Sequence, residues 1–522
     1  MIFVVGSGPA GVACASALLG AGARVTMLDA GLDLEAPRRR QVADLRAADS
    51  ATWTASQTDF LRDGVEVNRG GIPLKLAYGS DFAYRDPLEL PLVVVSAQPK
   101  SSYARGGFSN VWGACVLPYR SEDLAGWPVG AEDLAPHYRA VLRLMPFAAR
   151  ADGLAEQFPL HHERPGDLAA SKQAAALLAD LEANAPELAQ GGVRFGAARL
   201  AVKAAECVYC GKCTYGCPYD LIYNTGQTLE QLSADPRFEY RPGLVVEALS
   251  EQGSRVEIRG RELAGGGAMR LRGERVFIAT GVFSTARLML HSLDSYDRPL
   301  RVLDNCYFLL ALLRNRGDGG VLAERLHTLA QVFLEVLDPA LGEHLAHLQV
   351  YTYNELFRKE IANLLGPLDR LLPGPVERAF LGRLLLVQGY LHSDLSAGMT
   401  IALRRGAGSE PATLEVAGQA NPRTRPALDA LSHRLWALRR ALRAIPIGPS
   451  LRIGQPGRSF HSGGTFPMRE VPREFESDRL GRPHGFERLH LVDASVFPSL
   501  PATTITLSVM ANAHRIGSEA VA

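Results

Sequence analysis

The sequence predicts an α/β fold, α+β over the whole chain, with a doubly wound parallel sheet and a second domain built of an antiparallel sheet and helices. Two strand–turn–helix units, at residues 2–28 and 275–290, predict the doubly wound part, because each places a β-branched strand before a glycine turn and a helix. Alternating apolar and polar residues at 238–275 predict paired strands. With 522 residues and 47% hydrophobic content, the chain can bury the cores of more than one domain.

The first strand–turn–helix unit carries a glycine-rich turn at residues 6–11, Gly-Ser-Gly-Pro-Ala-Gly, which fits the pattern G-x-G-x-x-G. Gly6 allows the turn, Gly8 lets the backbone approach a pyrophosphate, and Gly11 lets the helix pack closely on the strand. Asp29 ends the second strand, where its carboxylate can accept a hydrogen bond from a ribose 2′-hydroxyl. The unit therefore predicts a Rossmann-type dinucleotide site, and its ending in Asp-Ala-Gly favours FAD over NAD.

Charge and hydropathy exclude several classes of protein. Lys and Arg number 56 against 55 for Asp and Glu, so the chain lacks the excess of basic residues that a nucleic-acid partner requires. The first residues carry no basic stretch followed by a long apolar one, as a secretory signal would. No apolar run has the length needed to span a bilayer. We therefore expect a cytoplasmic protein without a nucleic-acid partner.

Four of the seven cysteines are grouped as C-x2-C-x2-C-x3-C-P, namely Cys207, Cys210, Cys213 and Cys217. This spacing is that of the bacterial ferredoxin run, and it predicts a [4Fe-4S] cluster. A zinc site with four cysteine ligands is the main alternative, although zinc sites usually separate two C-x-x-C pairs by a longer loop. The fourth ligand stays open at this point, because a distant Cys115 or Cys306 can replace Cys217.

The middle of the chain is rich in leucine, and we interpret residues 301–390 as largely helical, with strands at 384–391 and 398–403. Apolar residues between 356 and 372 recur at intervals of three and four. A pair of core-facing helices explains this stripe most simply. A peripheral membrane contact or a partner surface is the alternative.

These motifs together resemble the glucose-methanol-choline (GMC) oxidoreductase family of flavoproteins. The stretches that carry the resemblance follow the family's order along the whole chain: residues 6–11 with Asp29, 106–113, 279–290, 461–468 and 493–516. The resemblance implies non-covalent FAD bound by the two glycine-rich loops and by the Asp493-Ala494 turn. It also implies oxidation of an alcohol at the flavin, with His461 as the base that takes the hydroxyl proton while hydride leaves the same carbon.

The residues predicted to bind FAD lie in the stretches that carry the resemblance and in one neighbouring strand. They are Gly6, Gly8, Pro9, Ala10, Gly11, Asp29, Ala30, Gly106, Gly107, Ser109, Asn110, Trp112, Val246, Ala279, Thr280, Gly281, Asp493 and Ala494. Two domains are predicted to alternate along the chain. The FAD-binding parts are residues 1–115 and 195–300, and the second of these includes the iron–sulfur motif. The substrate-domain parts are residues 116–194 and 301–454, and residues 455–522 form the C-terminal part, which binds FAD and carries the catalytic residues.

Two positions depart from the family's pattern. The family's second active-site residue is His or Asn, and here that position holds Thr504, whose hydroxyl can donate a hydrogen bond but is no comparable base. His461 is then the sole strong base. Family members with covalent flavin place a histidine in the second glycine loop, where this chain has Val111, so we expect FAD that is not covalently attached.

The combination predicts a FAD and iron–sulfur alcohol dehydrogenase that acts on a small-molecule alcohol and passes electrons to an external one-electron acceptor. A plain FAD oxidase with a structural metal site is one alternative. A non-catalytic electron-transfer or assembly subunit is another, kept open by Thr504. The leucine- and alanine-rich segments at 116–190 and 301–454 suggest a bulky or amphipathic alcohol, and the sequence does not fix the oligomeric state.

Overall fold

The computed structural model describes residues 1–64, 74–354, 374–406, 408 and 410–521. The apolar stripe at 356–372 lies outside the described residues. The strands of the described residues are β1 Ile2–Val5, β2 Val25–Leu28, β3 Leu92–Val95, β4 Val193–Ala197, β5 Phe238–Arg241, β6 Leu244–Gln252, β7 Arg255–Glu262, β8 Ala268–Gly273, β9 Arg275–Ile278, β10 Leu300–Asp304, β11 Tyr307–Arg314, β12 Val332–Leu337, β13 Leu345–Tyr351, β14 Leu384–Leu391, β15 Gly398–Arg404, β16 Thr413–Gln419, β17 Ala444–Ile453, β18 Ser462–Gly463 and β19 Leu489–Leu491.

The helices of the described residues surround these strands. They are α1 Pro9–Gly20, α2 Ala36–Ala47, α3 Ala55–Thr58, α4 Ala131–Val141, α5 Lys172–Ala183, α6 Ala185–Gln190, α7 Thr225–Leu232, α8 Val282–Ser292, α9 Gly374–Leu381, α10 Thr424–Ala437 and α11 Thr506–Glu519. None of the helices that the structure describes combines the length and the apolar character that crossing a bilayer requires.

A five-stranded parallel sheet in the order β19–β9–β1–β2–β5 forms the predicted doubly wound unit. Except for the polar edge strand β5, its strands are short, mainly apolar runs buried on both faces, as parallel strands covered by helices require. The helix that follows the first glycine turn, α1, starts at Pro9 inside the motif and packs against the C-terminal helix α11. The turn at the end of β1 therefore lies at the carboxyl edge of the sheet, where α/β proteins bind ligands.

A six-stranded antiparallel sheet, β17–β11–β14–β13–β12–β4, forms the predicted second domain. One face of β12, carrying Val332, Leu334 and Val336, packs with residues of α5 and α10 in a single apolar core. The other face carries Phe333 and Glu335. The fold class is thus confirmed, and the order of the sheets explains why segments far apart in sequence share one domain.

The prediction of a largely helical region at 301–390 is wrong for most of the described residues. Residues 300–351 contain the four strands β10, β11, β12 and β13. Both faces of these strands are buried, so their sequences are nearly continuous apolar runs that lack the alternation typical of a half-exposed strand. A run of this kind does not distinguish a buried strand from a buried helix.

Two smaller sheets complete the fold. One is five-stranded, in the order β18–β10–β15–β16–β3, and the other is the three-stranded antiparallel meander β6–β7–β8. The meander confirms the paired strands predicted at 238–275 over residues 244–273, whereas β5 pairs in parallel with β2. The segment boundaries predicted from the sequence stay predictions.

Candidate active site

A cavity of about 1080 Å³ brings together residues from the parallel sheet, the six-stranded sheet and the C-terminal segment. Most of the residues predicted from the sequence line it: Gly6, Gly8, Pro9, Ala10, Asp29, Ala30, Gly107, Ser109, Trp112, Val246, Ala279, Thr280, Gly281, Asp493, Ala494, His461 and Thr504. Of the predicted FAD-binding residues, only Gly11, Gly106 and Asn110 are absent from its wall.

The three glycines of the first turn have three different surroundings. Gly6 adopts φ +100°, and a Cβ there would lie 2.5 Å from the Ala279 carbonyl oxygen. A Cβ at Gly11 would clash with the Gly6 carbonyl oxygen, so the helix packs directly on the turn. A Cβ at Gly8 would meet no heavy atom within 4 Å, because this residue faces the cavity at the N-terminus of α1. Backbone N–H groups at such a terminus favour a pyrophosphate.

Asp29 is held at the cavity wall by two hydroxyl groups. Ser7 Oγ and Tyr240 Oη both donate to Asp29 Oδ2, the latter at 2.9 Å. Burial raises the pKa of Asp29 to about 6, although these hydrogen bonds oppose the shift. The carboxylate is therefore fixed at the end of β2, where the sequence predicts a ribose contact.

The second glycine loop packs on the first. Gly106 adopts φ +83°, and its backbone N–H donates to Ser7 Oγ at 2.9 Å. The Asn110 side chain donates to the carbonyl oxygens of Arg105 and Gly107 at 2.9 and 2.7 Å. Gly106 and Asn110 thus stabilise the conformation of the loop from the side away from the cavity. Gly107, Ser109 and Trp112 face the cavity.

Asp493 joins the C-terminal segment to the turn after β9. Its carboxylate accepts hydrogen bonds from Gly281 N at 2.8 Å, Thr285 Oγ1 at 2.6 Å and Ser495 N at 3.0 Å. Burial raises its pKa above the ordinary value, and these hydrogen bonds oppose the shift. The residue contributes to the cavity wall and also fixes the segment that carries Ala494.

His461 lies on the cavity wall immediately before β18, and its ring stacks on that of Tyr390 with centroids 5.1 Å apart. Burial lowers the pKa of His461 to about 3, and His347 adds to the lowering. Its Nδ1 has no hydrogen-bond partner among the described residues. The imidazole is thus neutral at physiological pH, the form that can accept a proton from an alcohol.

Thr504, the position where the family has His or Asn, also lines the cavity. Its Oγ1 accepts a hydrogen bond from Leu117 N at 3.2 Å. The hydroxyl hydrogen stays available for donation, which is the supporting role predicted for it.

The four cysteines of the ferredoxin-like motif lie close enough to influence one another. Burial raises the pKa of Cys213 and Cys217 to about 11, and neighbouring cysteines of the motif add to the shifts. Backbone N–H groups of Tyr209, Lys212 and Leu221 face the sulfurs of Cys207, Cys210 and Cys217, respectively. Hydrogen bonds of this kind stabilise thiolates, so the donor set suits metal ligation.

Lys75 is a site residue that sequence reasoning missed. It lines the cavity, its Nζ donates to the Trp112 carbonyl oxygen at 2.5 Å, and it is close enough to Cys213 and Cys115 for their charges to affect its pKa. Burial lowers its pKa to about 8, and the two cysteines oppose the shift. Lys75 stands in a stretch without a periodic pattern, so no signal in the sequence could have identified it.

A second missed group belongs to the six-stranded sheet. Gln349 and Tyr351 on β13 line the cavity, and they continue a line of polar side chains that begins at His347. The alternation His-Leu-Gln-Val-Tyr was a usable signal, since every second residue of a strand faces the same way. It was overlooked because the surrounding leucines suggested a helix.

Comparisons with known proteins agree with this arrangement. Residues 453–513, which include His461, Asp493 and Thr504, match the family model of the GMC oxidoreductases. Pyridoxine 4-oxidase from Mesorbium loti is similar in structure, with a TM-score of 0.57 and 15% identity over 99% of this chain and 98% of that chain. Formate oxidase from Aspergillus oryzae RIB40 has a TM-score of 0.62 and 12% identity over 100% of this chain and 97% of that chain. No curated protein sequence matches significantly.

The fold and site thus define a flavin-dependent oxidoreductase. Residues 453–513 match the GMC oxidoreductases, a family of FAD enzymes that act on alcohol-type substrates, and the two solved structures share the fold of this chain. The residues present fit FAD, because Gly8 is open to the cavity at a helix N-terminus and Asp29 is fixed at the neighbouring strand end. The resemblance drawn from the sequence and the prediction of an FAD enzyme are therefore confirmed.

Proposed function

We propose that the protein is a FAD-dependent alcohol dehydrogenase that passes electrons through a [4Fe-4S] cluster to an external one-electron acceptor. Cys207, Cys210, Cys213 and Cys217 would hold the cluster. FAD, when bound, supplies the acceptor for the hydride of the substrate, and His461 takes the hydroxyl proton.

One observation carries this proposal: the cysteine loop forms part of the wall of the flavin cavity. Thr214 and Tyr215, between Cys213 and Cys217, line the same cavity as Gly8 and His461. A redox centre held by this loop would therefore be a near neighbour of the flavin. A metal site with a purely structural role has no reason to be placed there.

The spacing of the motif supports an iron–sulfur cubane over zinc. The pattern C-x2-C-x2-C-x3-C places all four cysteines within eleven residues. Zinc sites usually separate two C-x-x-C pairs by a longer loop, whereas this spacing is that of the bacterial ferredoxin run.

The surroundings of the other cysteines favour Cys217 as the fourth ligand. Cys306 is buried in the apolar core between the six-stranded sheet and its helices. Cys115 lies next to Lys75 and Tyr351, and its own pKa is raised by burial to about 12. Cys217, by contrast, lies beside Cys213 and receives a hydrogen bond from Leu221 N at 3.5 Å.

An FAD oxidase that uses dioxygen is the second candidate function. The two similar solved structures are both named as oxidases, and this is the observation that favours it. At these low sequence identities, the similarity to the two oxidases concerns the fold alone. The two candidates differ in whether iron and sulfide are present and in which acceptor reoxidises the enzyme.

The test is purification without oxygen, followed by measurement of iron, acid-labile sulfide, zinc and flavin. We expect about four iron and four sulfide per chain, with FAD that acid denaturation releases. Cys210→Ser should abolish the cluster spectrum, leave FAD bound and leave its anaerobic reduction by an alcohol intact, while slowing turnover with a one-electron acceptor such as ferricyanide. Cys306→Ser is the matched control and should retain the cluster.

Two results would contradict the dehydrogenase proposal. Stoichiometric zinc without iron in anaerobically purified protein would show that the cysteine motif holds zinc and no iron–sulfur cluster. Equal turnover of wild type and Cys210→Ser with ferricyanide would show that electrons do not leave through this loop, and fast reoxidation by dioxygen would then favour the oxidase.

A further inference from the structure

An acid–histidine pair is buried in the six-stranded sheet, outside the residues already discussed as reacting groups. Glu335 on β12 and His347 on β13 are direct partners in the strand register, and both are 0% exposed. The distance from His347 Nδ1 to Glu335 Oε1 is 2.6 Å. The second carboxylate oxygen, Oε2, has no hydrogen-bond partner among the described residues.

A line of hydrogen bonds leads from this pair to the cavity. His347 Nε2 lies 3.1 Å from Gln349 Nε2, and Tyr351 Oη donates to Gln349 Oε1 at 3.2 Å. His347, Gln349 and Tyr351 alternate along β13 and so share one face of the sheet. Gln349 and Tyr351 line the cavity, whereas Glu335 and His347 lie behind them.

Stability alone does not account for such a pair. Burying an acid–base pair removes both groups from water at a cost in free energy, and replacement by apolar residues of similar volume is often neutral or stabilising. The half-satisfied carboxylate of Glu335 adds to that cost. Phe333, the neighbour of Glu335 on the same face of β12, is a buried apolar residue, so an apolar side chain can be accommodated on this face. Buried groups of this kind with specific charge partners concentrate at functional sites.

The pair lies close to the proposed base. The Tyr390 ring stacks on the His461 ring at 5.1 Å and on the His347 ring at 6.2 Å between centroids. The hydrogen-bonded line therefore reaches the part of the cavity where His461 would meet the substrate. Thr504 occupies the position where the family has His or Asn. The site therefore lacks the second polar group that such a side chain would present to the substrate.

We propose that Glu335 and His347 are positioning residues that fix Gln349 and Tyr351 as a second hydrogen-bonding group for the substrate. This inference rests on the proposed oxidation of an alcohol beside His461. Glu335 holds the imidazole, the imidazole holds the Gln349 amide, and the amide in turn orients the Tyr351 hydroxyl. Of these four residues, Gln349 and Tyr351 touch the substrate, whereas Glu335 and His347 do not.

The chemistry of Gln349 indicates the class of substrate. A primary amide has two N–H groups and two acceptor positions, and the line of hydrogen bonds uses one of each. The amide can therefore still donate to, and accept from, a neighbouring hydroxyl or carbonyl. The substrate is then an alcohol with a second oxygen next to the oxidised hydroxyl, such as a 1,2-diol, in preference to a plain 1-alkanol.

The test compares anaerobic flavin reduction by a series of 1,2-diols with reduction by 1-alkanols of the same length. Wild type should prefer the diols. Glu335→Gln and Tyr351→Phe should each lower that preference about tenfold, roughly the worth of one hydrogen bond, because kcat/KM falls further for the diols than for the 1-alkanols. Glu257→Gln is the matched control, because Glu257 is also a buried strand carboxylate but lies outside the cavity wall, and it should keep the wild-type preference.

The possible outcomes separate the inference from the proposed function. An unchanged diol preference in both variants, or an equal loss with both substrate classes, would overturn the positioning role while leaving alcohol oxidation intact. A wild type whose flavin no alcohol reduces would overturn both. If Glu335→Gln fails to fold, Tyr351→Phe alone decides, since it removes only a hydroxyl group.

Discussion

At the scale of single residues, burial decides the protonation state of the proposed base. His461 has no carboxylate partner in the described structure, and burial lowers its pKa to about 3. The imidazole is therefore neutral and able to accept a proton at pH values well above about 3. Its conjugate acid is destabilised by the same burial, so the proton gained from the substrate must leave the site afterwards.

Replacing this base should slow flavin reduction far more than replacing the neighbouring threonine. We expect His461→Ala to slow anaerobic reduction by about two to four orders of magnitude, the usual worth of a general base, with FAD content unchanged. Thr504→Val should cost about tenfold, because its hydroxyl can only assist. His433→Ala, at an exposed position, is the control. Stopped-flow absorbance measures each rate.

The pH dependence of the same reaction tests the protonation state of His461. With a pKa of about 3, the imidazole stays neutral as the pH falls, so the wild-type rate should remain flat from about pH 8 to about pH 5. A histidine with an ordinary pKa would be protonated over this range, and the rate would fall with a midpoint near 6.5. Such a midpoint, or a Thr504→Val variant as slow as His461→Ala, would contradict the single-base mechanism.

At the scale of secondary-structure elements, the first strand, turn and helix together form the predicted pyrophosphate-binding unit. The turn after β1 is tight because Gly11 packs on Gly6, whereas Gly8 has space on its cavity side. The same residue type thus serves packing at one position and ligand approach at another. Replacing each glycine by alanine adds one methyl group and so distinguishes the packing role of Gly11 from the ligand-binding role of Gly8.

Adding that methyl group should have opposite consequences at the two positions. Gly8→Ala should leave the unfolding temperature of the FAD-free protein unchanged, since its Cβ meets no heavy atom within 4 Å, yet weaken FAD binding at least about tenfold by occupying the pyrophosphate side. Gly11→Ala should destabilise the FAD-free protein by about 1–3 kcal/mol, because the turn and the helix must move apart. Thermal unfolding and flavin titration distinguish the two, and a Gly8→Ala variant with wild-type FAD affinity would remove the pyrophosphate site from this turn.

At the scale of the whole molecule, the cavity connects segments that are distant in the chain. Its wall includes the first glycine turn, the second glycine loop, the β6 strand, the six-stranded sheet and the C-terminal segment. A ligand that contacts several of these segments binds only when they are assembled. FAD should therefore stabilise the fold as a unit.

FAD should raise the unfolding temperature of the stripped protein in a concentration-dependent way. Above the dissociation constant, each tenfold increase in free FAD should add about 1.4 kcal/mol to the free energy of unfolding, because the ligand binds only the folded state. The Gly8→Ala variant is the control, and its midpoint should shift only at higher FAD concentrations. An unfolding temperature that does not respond to FAD would contradict a site shared among the segments.

Features whose chemistry is local can be predicted from the order of the amino acids. The turn at 6–11, Asp29 at the end of its strand and the stretch beginning at His461 could be read directly, because neighbouring residues set their geometry. The spacing of Cys207, Cys210, Cys213 and Cys217 is a signal of the same kind. The structure brings the turn, Asp29 and His461 to one cavity, and the loop between Cys213 and Cys217 to its wall.

Only the tertiary structure decided which distant residues meet. Residues 300–351 became strands because both faces of the sheet are covered, a condition set by elements far away in the chain. Glu335 meets His347 only through the register of β12 and β13, and Lys75 meets Cys213 only through packing. Contacts of this kind depend on how strands pair and layers pack, and no local pattern of residues encodes that.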